Sequence, residues 1–389
     1  MTNIDIRHGD CLAVLRELPD NSVDSIVTDP PYGLSNTKPS QVADVLAAWV
    51  TGDTEVVPAK KGGFMGKDWD SFVPPPAVWE ECLRVLKPGG HMAVFAGART
   101  QDLMGLSIRL AGFEIRDSLG WVYGSGFPKS MDVSKAIDKA AGAEREVISE
   151  RPAYGIGGNG ILNGHSEGAT AKVTAPATDD AKQWDGWGTA LKPAIEPIIL
   201  ARKPLDGTVA QNVLEHGVGG LNIDACRIEF RDDVNLESKQ RQQAKSTDAV
   251  GGGFGAGGLT GTEISTYKAS GRFPANVLLD EHAAREMDRQ SDNSSRFFPV
   301  FKYQAKAQKK ERPVVEREDG TKIQHPTVKP AALMEWLVAL ISPPGGTVLD
   351  PFAGTGTTLQ AARDKGFNSI GIEQDADYIR LIEARLSKN

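Results

Sequence analysis

Hydrophobic and polar positions alternate in a regular way at the two ends of the chain and lose that order in between. Near the N-terminus, N-I-D-I-R precedes H-G-D, and Leu12, Leu15 and Leu18 at spacing three predict a short helix. V-D-S-I-V-T, Val23 to Thr28, predicts a buried strand that stops at Asp29. A helix around Val78 to Leu86 is expected to end at K-P-G-G, with M-A-V-F-A as the next strand and D-S-L-G-W-V-Y as another. In the C-terminal part, Leu333, Trp336, Leu337, Leu340 and Ile341 form a helical stripe. There follow the strand G-T-V-L-D, the loop P-F-A-G-T-G, a helix from about Thr357 to Lys365, the strand S-I-G-I-E and a last helix carrying Ile379, Ile382 and Leu386. Strands that alternate with helices at this spacing imply an α/β fold, a mostly parallel sheet covered on both faces.

The middle departs from this pattern. It holds G-I-G-G-N-G and A-V-G-G-G-F-G-A-G-G-L-T-G, which read as loop, and the strand-like E-P-I-I-L-A-R-K-P from Glu196 to Pro204, which is expected to return to the sheet. Three regions are therefore expected: residues 1–130, an irregular region over 131–300, and residues 301–389.

Composition narrows the class. The chain has 389 residues, of which 40% are hydrophobic and 24% charged, the profile of an ordinary globular protein. No apolar run spans a bilayer, and the first residues lack a secretory pattern, so a cytoplasmic setting is expected. Cys11, Cys82 and Cys226 form no CxxC pair, which argues against a zinc site or a disulfide framework. A net charge of −7 speaks against a uniformly basic nucleic-acid binder, although Val300 to Pro330 carry eight basic against four acidic residues, a local balance of +4.

Two stretches carry candidate chemistry. V-T-D-P-P-Y-G, Val27 to Gly33, leaves the strand through two prolines, which fix φ and supply no backbone N–H, so neither helix nor ladder continues. The result is a stiff corner holding Asp29, Pro30, Pro31 and Tyr32. D-P-F-A-G-T-G-T-T, Asp350 to Thr358, places Gly354 and Gly356 between a strand and a helix, where backbone can approach a ligand closely. It matches neither the P-loop nor the full dinucleotide fingerprint. Glu373 ends the following strand, where an acid can accept from both hydroxyls of a ribose. Ligands of open α/β sheets sit beyond the strand carboxyl ends where strand order reverses, so Gly354 and Asp29 are expected to face one cleft.

Gly9–Asp10, D-P-P-Y-G at 29–33, L-R-V-L-K-P-G-G at 83–90, H-P-T-V-K-P at 325–330, F-A-G-T-G at 352–356 and Glu373 occur in an order that resembles the amino-methylating DNA methyltransferases of the β class. W-V-Y-G-S-G-F-P-K-S at 121–130, G-R-F-P-A-N-V at 271–277 and the segment around Tyr303 to Arg312 are similar to phage- and prophage-type members, a setting of restriction–modification or phage protection. The resemblance implies a Rossmann-like, S-adenosylmethionine-dependent fold in circularly permuted motif order, with an inserted target-recognition region. It implies S-adenosylmethionine as cofactor, double-stranded DNA as partner, no membrane and, by analogy, a homodimer. Asp350, Phe352, Gly354 and Gly356 would cradle the methionyl and ribose part, Glu373 would take the ribose hydroxyls, and Asp10 would accept from the adenine amino group. His325, Thr327 and Lys329 would line the side of the methionine carboxylate, and no metal is implied.

At the corner, two acceptors aimed at the hydrogens of a base amine, the Asp29 carboxylate and the Pro30 carbonyl, would favour the geometry that frees its lone pair. Tyr32 would stack on the base, which must leave the duplex to arrive. Members with aspartate first usually modify adenine N6, so adenine is expected and cytosine N4 is the alternative. A cytosine-C5 enzyme would need a cysteine after proline, which no cysteine here supplies. Methylation of RNA or of a protein amide, or a DNA-binding relative without catalysis, are the other readings. Phe64 and Trp69 are candidates for a lid, and Arg227, Arg231, Lys239, Arg241, Lys245 and Arg272 for phosphate or base contacts.

Overall fold

The computed structural model describes residues 2–35, 37–58, 68–124, 126, 130–152, 170–229, 271–301, 313–317, 319–325 and 328–387. Two compact units are present: Met1–Gly124 with Ile195–Asn389, and Ser125–Ala194.

In the larger unit the strands are β1 (Ile4–His8), β2 (Val23–Thr28), β3 (Leu86–Phe95) and β4 (Glu114–Val122). The smaller unit contributes β5 (Val147–Pro152) and β6 (Thr170–Thr174). The larger unit continues with β7 (Ile195–Arg202), β8 (Val277–Asp280), β9 (Val300–Phe301), β10 (Val315–Glu316), β11 (Lys322–Ile323), β12 (Thr347–Asp350) and β13 (Asn368–Glu373). Nine of them form one sheet in the order β1-β13-β12-β2-β3-β7-β4-β8-β9. Within it only β7 runs against its neighbours; every other pairing is parallel. This is the mixed α/β, mostly parallel architecture that the strand–helix alternation predicts.

The burial pattern explains why these sequences become strands. Every residue of β2 is buried, and neighbours along each central strand face opposite cores. Ile26, Met92, Val94, Ile199, Ala201 and Leu349 pack into one core with Trp79, Cys82, Met104 and Ile108. Val27, Ala93, Phe95, Ile198, Leu200 and Val348 pack into the other with Leu333, Leu337, Val338 and Ile341. A strand covered on both faces needs apolar residues at consecutive positions, which is what Ile26–Val27 and Ile198–Ile199–Leu200 provide.

The helices lie close to where the apolar stripes place them: Cys11–Leu15, Pro76–Val85, Ala331–Ile341, Thr357–Asp364 and Ala376–Leu386. One boundary differs. K-P-G-G is not a loop after a helix; the helix ends at Val85 and β3 starts at once with Leu86, running through Lys87–Gly90. The register against β2 shifts between Val23 and Ser25, and Gly89 sits at φ +76°, so the glycines are absorbed as an irregular strand entry.

The strand order places the glycine-loop strand, β12, beside β2, with β13 and β1 on its other flank. Strand order thus reverses between β12 and β2, and their carboxyl ends lie next to each other. Because β7 is antiparallel to β3, its first residues arrive at that same edge: Phe95 pairs with Ile198, and the N–H of Ala96 donates to Pro197 O at 2.9 Å.

In the smaller unit, β5 and β6 form an antiparallel pair. The Asp138 carboxylate accepts from Arg145 Nη1, the backbone N–H of Ala177 and of Thr178, and the Thr178 hydroxyl.

Candidate active site

The carboxyl ends of β2 and β12 are tied directly. Thr28 Oγ1 donates to Asp350 Oδ1 at 2.7 Å, so the corner that begins at Asp29 starts beside the glycine loop that follows Asp350. The two stretches are 322 residues apart at this contact.

The corner is stiffened by its surroundings as well as by its prolines. Asp70 Oδ1 accepts from the backbone N–H of Tyr32 at 2.7 Å and of Gly33 at 3.0 Å, while Thr100 Oγ1 donates to Tyr32 O at 2.6 Å. Gly33 lies at φ +67°, and a Cβ there would come within 2.7 Å of Val73 N, so only glycine lets the chain turn against that backbone. Pro30 is buried, whereas Asp29 retains 26% side-chain exposure, enough to meet an incoming group.

Asp29 does not stand alone. Its Oδ1 accepts from Tyr32 Oη at 2.8 Å, and its Oδ2 from Lys329 Nζ at 2.7 Å. Lys329 also donates to Tyr32 Oη at 3.0 Å and lies 3.3 Å from Glu196 Oε2, and Tyr32 Oη reaches the same Glu196 oxygen at 3.3 Å. The ammonium sits over the Phe95 ring at 4.8 Å and the Tyr32 ring at 5.3 Å. Burial and the two carboxylates push the Tyr32 phenol well above its ordinary range. For Lys329, burial works against the charge, but Asp29 and Glu196 outweigh it and hold the ammonium above the ordinary lysine value.

The glycine loop is built around Glu373. Its Oε2 accepts from Gly354 N–H and its Oε1 from Asp375 N–H, both at 2.8 Å. Burial raises its carboxyl to about 7 despite those two N–H donors. Asp350 is likewise raised by burial, to about 6, against hydrogen bonds from Thr358, Thr28 and the N–H of Phe352. Gly354 and Gly356 take φ +53° and +75°; a Cβ on Gly356 would press on Ile382 at 2.9 Å, whereas one on Gly354 would, among the described residues, meet nothing nearer than His325 Nε2 at 3.8 Å. Among the described residues, His325 and the Phe352 carbonyl stand at the edge of the space over Gly354. The His325 ring packs on Tyr378 at 4.8 Å and stacks on Trp69 at 6.4 Å, and Phe352 packs on Trp79 at 6.3 Å.

Of the residues singled out from the sequence, Asp29, Pro30, Pro31 and Tyr32 end β2, and Asp350, Phe352, Gly354, Gly356, Glu373 and His325 gather around the adjacent loop. Asp10 stands at the end of β1 beyond Glu373; its Oδ1 caps the first helix by accepting from the N–H of Leu12 and Ala13, each at 3.1 Å. Lys329 lies against Asp29, on the corner side of the cleft. Thr327 and Phe64 lie outside the described residues, as do Arg231, Lys239, Arg241 and Lys245. Arg227 and Arg272 precede β8, and Arg227 is engaged by Asp224 and by Gly271 O. In the stretch with a local balance of +4, the described cations are all paired: Arg317 with Asp377, Lys322 with Glu316, and Lys329 with Asp29.

Three site residues escape the sequence reading. Asp70 and Thr100 reach Tyr32 from 38 and 68 positions away, with no local pattern to mark them. Glu196 had a signal, a lone acid opening the apolar run P-I-I-L-A, which is out of place in a buried strand unless it has a partner.

An acidic proline corner and a glycine loop thus stand on adjacent strand ends of a mostly parallel α/β sheet. The DNA methylase family of N6 and N4 enzymes matches residues 23–384, and the chain belongs to it. It is similar to the type II methyltransferase M.HindIII of Haemophilus influenzae, at 22% identity over 397 residues, covering 98% of this chain and 94% of that protein. A 72-residue stretch is 46% identical to the type II methyltransferase M.HinfI of Haemophilus influenzae, covering 18% of this chain and 20% of that one. Among solved structures, the M1.HpyAVI–SAM complex aligns over 99% of each chain with 15% identity and a TM-score of 0.42. The cytosine-N4-specific PvuII DNA methyltransferase covers 100% of this chain and 88% of that one, with 14% identity and a TM-score of 0.48.

Proposed function

We propose that this DNA methylase transfers a methyl group from S-adenosylmethionine to the N6 amino group of an adenine turned out of double-stranded DNA. The observation that carries the reading is the 2.7 Å bond between Thr28 and Asp350, which sets the Asp29 corner beside the Gly354 loop.

The residues around the loop fit the cofactor. Glu373 is 8% exposed at the end of β13, and the carboxylate oxygens that hold Gly354 and Asp375 N–H keep lone pairs for ribose hydroxyls. Gly354 leaves space where a side chain would intrude, and His325 and Phe352 border it. S-adenosylmethionine supplies a methyl group already activated on a sulfonium.

Everything else falls to the corner. An exocyclic amine is a poor nucleophile because its lone pair is delocalised into the ring. Accepting its two N–H groups at the Asp29 carboxylate and the Pro30 carbonyl supports the pyramidal form in which the lone pair is free. Once the nitrogen has gained a fourth bond it is cationic, and its surplus proton has Asp29 as the nearest base. The anchors on the Tyr32 and Gly33 backbone keep these acceptors fixed while a base enters and leaves. Adenine is favoured over cytosine because aspartate, rather than serine, opens the corner.

Expression in a host without DNA methylation, followed by direct sequencing for modified bases, tests the assignment. N6-methyladenine in one short context is expected, and none in Asp29→Ala. N4-methylcytosine would overturn the base assignment, and an unmodified genome the enzymatic reading.

A further inference from the structure

The Asp29 and Glu196 carboxylates converge on one group: both meet the Tyr32 phenol, at 2.8 and 3.3 Å, on the same partly buried edge. Two carboxylates brought this close to one phenol repel each other, and a cation between them relieves that repulsion. Lys329 stands where that cation would have to be, 2.7 Å from one and 3.3 Å from the other, and is itself only 12% exposed.

We propose that Lys329 and Glu196 are positioning residues of the acceptor corner: the ammonium bridges the Asp29–Glu196 pair and fixes the Asp29 carboxylate as an acceptor, and Glu196 keeps that ammonium from being spent wholly on Asp29. This rests on the reading of Asp29 as the acceptor of the target amine.

The charge count supports it. With Lys329 alone, Asp29 would be neutralised and the corner would offer no net negative field to an amine that becomes cationic as its fourth bond forms. With Glu196 present the group of three carries one net negative charge. The sheet imposes the arrangement, because β7 must run antiparallel to β3 to bring Glu196 to the edge where Asp29 ends its strand. Among the described residues, the groups facing Asp29 are Tyr32 from its own corner, Glu196 from β7, Lys329 from the segment before the Ala331–Ile341 helix, and Asp350 from β12, a further acid that raises the need for a cation. The upward displacement of the lysine and of the phenol agrees with a cation held between two anions.

The pH dependence of methyl transfer to unmethylated bacterial DNA separates this role from simple packing. In the wild type, the acid limb is expected to follow Glu373 and Asp350 of the glycine loop rather than the corner. In Lys329→Met the two carboxylates lose their shared cation, so activity is expected to fall on the acid side at a higher pH than in the wild type. Adding Glu196→Gln removes the second acid, and the double variant is expected to recover activity at low pH by about tenfold relative to Lys329→Met. Lys329→Arg keeps the cation and the wild-type acid limb. Lys329→Gln serves the same arm should the methionine variant fail to fold.

Calorimetric titration with S-adenosylmethionine fixes the cofactor concentration at which each variant is saturated, and rates are compared there, so that a change in cofactor binding is separated from a change at the corner. Fluorescence of 2-aminopurine at the methylated position, which reports entry of the base into the pocket, should show the same pH midpoints as the rate. An acid limb in Lys329→Met equal to wild type, or a shift that persists in the double variant, would overturn the proposal. Methylation undiminished in Asp29→Ala would instead overturn the acceptor reading beneath it.

Discussion

Replacing Asp70 by alanine tests how the corner is held. Asp70 is 3% exposed, and its Oδ1 takes the N–H of Tyr32 at 2.7 Å and of Gly33 at 3.0 Å. Truncation strips the acceptor from two backbone donors in a segment whose prolines offer no alternative pairing. A hydrogen bond to a charged group is worth about 1.5–3 kcal/mol, so losing both gives roughly 3–6 kcal/mol, less whatever the corner regains by hydration. Gly33, locked at φ +67° against Val73, limits that relaxation. The functional cost exceeds the structural one, because a shift of about 1 Å in a positioned catalytic group lowers rates by about a hundredfold. Asp70→Asn retains an acceptor oxygen and should keep most of the stability. Urea unfolding and single-turnover methylation read the two effects. The reasoning is refuted if Asp70→Ala unfolds at the wild-type midpoint and methylates at the wild-type rate, or if asparagine is as damaging as alanine.

Other outcomes follow from the same geometry. Gly356→Ala forces a Cβ into a φ of +75° and to within 2.9 Å of Ile382; a loss of about 2 kcal/mol in thermal unfolding and weaker cofactor binding in calorimetry are expected. Thr28→Val removes the donor to Asp350 while keeping its shape; it should cost about 1–3 kcal/mol in urea unfolding at pH 8, where Asp350 is ionised. Glu373 gives a pH signature: its carboxyl is raised from 4.5 to about 7, so the folded state binds the proton more tightly than the unfolded chain. Stability from this group is complete below about pH 4.5 and is lost as pH rises through about 7, on the order of 3 kcal/mol in total. Asp350, raised from 3.8 to about 6, acts in the same direction. Urea midpoints of the ligand-free protein between pH 5 and 8 should therefore fall less steeply in Glu373→Gln than in wild type.

Much of this was legible in the sequence because the determinants were local. Val23–Thr28 and Thr347–Asp350 are apolar runs closed by an acid and a turn, and they become adjacent buried strands. The stripe from Leu333 to Ile341 becomes the helix under one face of the sheet. K-P-G-G misled because two glycines and a proline read as a stop, whereas pairing against Val23 and Ser25 draws them into β3 with a shifted register. Asp70 and Glu196 were not legible as site residues because their meaning comes from partners 38 and 164 positions away, supplied only when the sheet closes. Lys329 shows the same limit. Its motif marks it as part of the cleft, but only the crossing of β7 reveals a second carboxylate to bridge.

The central claim is that the end of β12 and the end of β2, far apart in sequence, form one cleft in which a cofactor and a base amine meet. A crystal structure of the protein with S-adenosylhomocysteine bound tests this most directly. The account places the ribose hydroxyls on Glu373 and the sulfur between the Gly354 backbone and the Asp29 carboxylate. A ligand seated elsewhere on the sheet, touching neither Glu373 nor residues 352–356, would contradict it.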